Sequence, residues 1–95
     1  MNPEVERLCD ELHQYIDLGP GENPAAMRAA LSAVRIMRAS ASWDYPIGLL
    51  IEVEVQLARW FSSENTAAPD QVHDHRENLL AHLARIEDAW DRPSA

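Results

Sequence analysis

A chain of 95 residues with 16 acidic and 8 basic side chains, a formal net charge of -8, lacks the general basic surface that phosphate backbones and anionic lipid headgroups require. At 46% hydrophobic and 25% charged the composition is globular rather than disordered, and its length suits a single domain with a small core. One cysteine, Cys9, excludes an internal disulfide.

Four helices are expected in chain order, in a single helical domain over 1–95. The first, about 3–17, opens on Asn2 as N-cap with Pro3 in the first helical position and Glu4 and Glu6 in the first turn. Its charged start and lack of an apolar core do not fit a signal peptide. The second, about 24–41, repeats the device with Asn23 and Pro24. Its apolar stripe runs through Met27, Ala30, Leu31, Val34, Met37 and Ala41. A break at 42–48 (SWDYPIG) follows, because Tyr45 precedes a proline and is biased away from helical dihedrals.

The stretch LLIEVEVQL at 49–57 alternates apolar and polar residues from Ile51 to Leu57, as a half-buried strand does. No second segment offers strand character, and a strand needs a partner to satisfy its ladder. An edge strand pairing across a dimer is the alternative. The apolar pattern continues on both sides for about sixteen residues, which favours a helix. A third helix over 46–62 follows, apolar over roughly 240° of its circumference. That helix is expected to be central, covered by the other three or by a second chain. The fold class is therefore all-α, a small antiparallel four-helix bundle-like domain, expected as a homodimer. A loop over 62–70 precedes the fourth helix, about 69–91, and DRPSA at 91–95 is expected to fray.

Two charges fall inside apolar stripes: Arg38 on the second helix and Glu54 on the third. They lie at similar distances from the turn at Trp43–Tyr45, so a hairpin would join them as a structural ion pair. Were that pair buried, Glu54→Ala would strand an arginine and cost a few kcal/mol. Arg76 is the rival partner for Glu54.

No constellation carries a reaction. His73, His75 and His82 lack the spacing of helical metal ligands, and Cys9 with His13 has no further ligand or base. There is no glycine-rich phosphate loop. No catalytic, cofactor or metal residue is assigned. The longest apolar run, PIGLLI at 46–51, is too short to span a bilayer, so a cytoplasmic protein is expected. Aromatics at helix ends and in the turn favour protein contact. Ile36, Trp43, Tyr45, Leu49, Val53, Trp60 and Phe61 are the candidate partner or dimer interface. The function expected is a non-enzymatic regulator or inhibitor of the antiactivator, antitoxin, immunity or anti-defence type. It would occupy a partner protein's interface or basic surface. The alternative is a small-ligand module with an interhelical pocket of Met27, Met37, Trp60 and Phe61 and a polar contact from Arg38 or Glu54.

Overall fold

The computed structural model describes residues 2–62 and 69–90. They form four α-helices: α1 (Pro3–Asp17), α2 (Pro24–Ser40), α3 (Asp44–Trp60) and α4 (Pro69–Ala89). No strand occurs among the described residues. The fold is all-α, and the 49–57 stretch is helical. Most of the loop expected at 62–70, and the tail at 91–95, lie outside the described residues.

The caps explain where the first two helices start. Asn2 accepts a hydrogen bond from the Glu4 amide at 2.8 Å, and Asn23 accepts one from the Ala26 amide at 3.1 Å. Each satisfies an N–H that the helix itself leaves free. Proline follows at the first helical position in both, where its missing N–H costs nothing.

α3 begins at Asp44, two residues before the expected start at Pro46, and ends at Trp60 rather than 62. Pro46 is its third residue. A first-turn N–H has no intrahelical acceptor, so the proline removes no bond there. Tyr45 is thereby helical despite the proline after it. Trp43 is the N-cap and makes no side-chain capping bond. Its indole Nε1 instead donates to the Ala89 carbonyl at 3.1 Å, fastening the start of α3 to the end of α4.

α1 packs on α2 and α4, and α3 packs on the same two. α3 thus packs chiefly on α2 and α4 and meets α1 through the Trp60–Ile16 hydrogen bond, so its own chain covers only part of the apolar arc expected on 46–62. Leu12 and Ile16 of α1, Val34 and Met37 of α2, Leu50, Val53 and Leu57 of α3, and Leu79, Leu83 and Ile86 of α4 meet inside and are fully buried. Each contributes about 1.5–3 kcal/mol of transfer free energy. No polar or charged residue is buried among those described.

Trp60 closes one end of this core. Its Nε1 donates to the Ile16 carbonyl at 2.9 Å, and its own carbonyl accepts from the Gly21 amide at 2.9 Å. Gly21 takes φ 117°, a left-handed value open to glycine. Arg76 pairs with Asp17 at 2.7 Å across α4 and α1, so it is not the partner of Glu54. No helix among the described residues is long and apolar enough to cross a membrane.

Candidate functional site

The feature that stands apart from the core lies between α2 and α3. Among the described residues α3 packs chiefly on α2 and α4, and part of its wide apolar arc faces outward. Ile51 is 46% exposed and Val55 49%. One turn apart, they share a face with Ala58, which is also exposed. Across from them, α2 contributes Leu31 and Arg38. Together with Glu54 these residues line an open groove of about 460 Å³. A smaller groove of about 300 Å³, lined by Glu22, Pro24, Met27, Ala58, Phe61 and Ser62, continues beyond Ala58.

Arg38 Nη1 donates to Glu54 Oε2 at 3.0 Å. The pair therefore straps α2 to α3 along the groove. It is not buried: the two side chains are 38% and 28% exposed. A pair in that position contributes about 1 kcal/mol or less, well short of the few kcal/mol that a stranded buried arginine would cost. Its place at the mouth of an apolar groove makes it a polar handle.

A second concavity, about 520 Å³, is lined by Trp43, Asp44, Tyr45, Gly48 and Leu49. The Trp43 and Tyr45 rings meet edge to face, with centroids 5.7 Å apart, a favoured aromatic geometry. Tyr45 is half-exposed and Leu49 half-buried. Of the other expected interface residues, Ile36 is exposed on α2 but lines neither concavity. Val53, Trp60 and Phe61 are buried in the core, Phe61 with an edge on the smaller groove. Conversely, the groove-lining Leu31, Ile51, Val55 and Ala58 were not among the expected interface residues. Their signal was present in the apolar arc of 46–62, but a helical wheel does not say which part of an arc the chain's own helices cover.

Of the pocket expected from Met27, Met37, Trp60 and Phe61, Met37 and Trp60 are fully buried in the core, while Met27 and Phe61 line the smaller groove. Cys9 is fully buried, and burial, then Glu87 by charge and hydrogen bonding, pushes its thiol up to about 12. A protonated thiol is a poor nucleophile and metal ligand. The His75 ring stands edge-on to Trp60, with centroids 5.2 Å apart. Burial, then the nearby Arg59 charge, lowers its pKa. His82 Nδ1 lies 2.8 Å from the Asn78 carbonyl one turn back. Among the described residues no three His, Cys, Asp or Glu side chains converge as a metal site.

Charge is unevenly spread. α2 carries Arg28, Arg35 and Arg38 and no acid. α1 carries Glu4, Glu6, Asp10, Glu11 and Asp17 against Arg7 alone. α4 carries Asp70, Asp74, Glu77, Glu87 and Asp88 against Arg76 and Arg85. α3 carries Asp44, Glu52 and Glu54 against Arg59, so the basic edge of the groove is its α2 side alone, and α1 and α4 are acidic.

No family model matches the chain, and no solved structure matches it. It is similar to an L-cysteine:1D-myo-inositol 2-amino-2-deoxy-alpha-D-glucopyranoside ligase of Segniliparus rotundus, with 41% identity over 64 residues. That stretch is 67% of this chain and 14% of the ligase, so the chain corresponds to a small part of that enzyme's length.

Proposed function

We propose that this chain is a non-enzymatic, cytoplasmic protein-binding regulator, an antiparallel four-helix bundle that takes a helix of a partner protein into its α2–α3 groove. The observation that carries this reading is the outward apolar face of α3. Ile51 and Val55 are about half exposed, side by side, next to a half-exposed ion pair. A contiguous apolar strip with a polar margin is the usual form of a helix-binding groove. By seating there, a partner's helix would be withdrawn from that partner's own assembly, which is how such a chain inhibits. The acidic sides of α1 and α4 suit a basic surface on the same partner and would speed encounter.

The nearest thiol and imidazole candidates support the non-enzymatic part, because Cys9 is buried and protonated and His75 is engaged with Trp60. The similarity to the ligase spans 14% of that enzyme, too small a part to bring its activity to this chain. The second reading is a small-ligand module. The groove volume of about 460 Å³ falls within the range of ligand sites, and Arg38 is its polar contact.

The test is capture from the native host with wild type and with Ile51→Glu/Val55→Glu. Both positions face outward, so the double variant is expected to keep its helical spectrum. It should lose a protein that wild type retains. Equal retention by the two chains sinks the groove reading.

A further inference from the structure

We infer that the element seated in the α2–α3 groove is an amphipathic helix with acidic flanks, so that the groove selects its partner by charge as well as by shape. This rests on the protein-binding reading above and adds the chemistry of the partner. Arg28, Leu31, Arg35 and Arg38 are spaced three, four and three residues apart, which places them along one stripe of α2. Leu31 and Arg38 line the groove, and Arg28 and Arg35 stand exposed beside them.

Arg38 is already neutralised by Glu54. Neither Arg28 nor Arg35 is in an ion pair with any described residue. In a chain of net charge -8, with Glu52 and Glu54 on the α3 wall, two guanidiniums outside any ion pair on the α2 side, next to the groove-lining Leu31 and Arg38, match carboxylates brought by the partner. Guanidinium planes bind carboxylates in two-bond geometry. The apolar floor spans Ile51 to Ala58, about 10 Å of helix. That length holds about two turns of a partner with apolar anchors at i, i+3 and i+4.

A second copy fits less well. Laying two such faces together with the α2 rims opposed would set arginines against arginines, and the chain's net charge resists self-association.

The experiment uses three labelled helical peptides of roughly 16 residues and fluorescence anisotropy with the full chain. One carries a leucine stripe flanked by glutamates, one the same stripe flanked by lysines, and one a scrambled stripe with glutamates. The glutamate-flanked peptide is expected to bind about tenfold or more tighter than the lysine-flanked one. That margin should shrink between about 50 mM and 500 mM salt, as the Debye length shortens. The scrambled peptide should not bind.

Arg28→Glu/Arg35→Glu, at exposed positions, is expected to reverse the charge preference while the leucine stripe is still required. Ile51→Glu/Val55→Glu is expected to lose both striped peptides. Equal binding of the two, or a lysine preference in wild type, overturns the acidic-partner inference and leaves the groove reading standing. No binding by either striped peptide up to about 1 mM, an affinity of only about 4 kcal/mol, overturns both. Self-association abolished by Ile51→Glu/Val55→Glu would make the occupant a second copy and also overturns the inference.

Discussion

Gly19→Ala is expected to lower stability by about 3 kcal/mol, from overpacking and the hydrogen bond it disturbs. A Cβ at Gly19 would sit 2.4 Å from Trp60 Nε1, 2.8 Å from Cδ1 and 3.1 Å from Cε2. No real Cβ lies that close, so the indole or the backbone must move. The indole has nowhere to go: Trp60 is 1% exposed, and its Nε1 is held by the Ile16 carbonyl. Displacing it strands both groups in the core. The loss should read as a drop of roughly 12–24 °C in melting temperature for a domain of this size. Gly48 is the internal control. It lies within α3, and a Cβ there meets nothing within 4 Å. Gly48→Ala should stabilise by about 0.5–1 kcal/mol, because alanine loses less backbone entropy in a helix. A Gly19→Ala chain that melts with wild type would mean that Trp60 does not close the core as described.

Cys9 should be close to inert in the folded protein. With the thiol at about 12 instead of the usual 9.0, the thiolate at pH 8 falls from about one part in ten to about one in ten thousand. Reaction with a thiol reagent should be about a thousandfold slower than for an exposed cysteine, and slower still because the sulfur is fully buried. Unfolding in denaturant should restore the ordinary rate. The same shift links stability to pH. The unfolded chain loses this proton near pH 9 and the folded chain holds it until about 12. Between those values the unfolded state binds fewer protons, so stability falls as pH rises. Cys9→Ala should flatten that decline. A fast-reacting thiol in the native protein would contradict the packing of α1 against α4.

The parts of the fold that were legible in the sequence are those set by local chemistry. The Asn–Pro pairs at 2–3 and 23–24 define helix starts because a side-chain oxygen and a missing N–H are local facts. The helical state of 49–57 followed from the absence of any partner strand. The start of α3 was less legible: Pro46 looked like a boundary, but a proline is tolerated anywhere in the first turn, and Trp43 is tied to Ala89, 46 residues away. The site was legible only in outline. The excess of apolar surface on 46–62 was evident, yet Val53, Trp60 and Phe61 went inside and Ile51 and Val55 stayed out. Which side of an apolar helix faces its own chain depends on the positions of α2 and α4, and that is a tertiary fact. Trp60 went inside for the same reason. Trp60 resembles an interface anchor in composition, but its N–H finds a carbonyl partner within the chain.

The solution mass over a dilution series, by light scattering, tests the central claim most directly. If the outward face of α3 is kept for a foreign helix, the chain alone should be a helical monomer of 10.7 kDa, and Ile51→Glu/Val55→Glu should have the same mass. A particle of twice that mass that persists on dilution, and that the double substitution splits, would mean that the groove is already filled by a second copy.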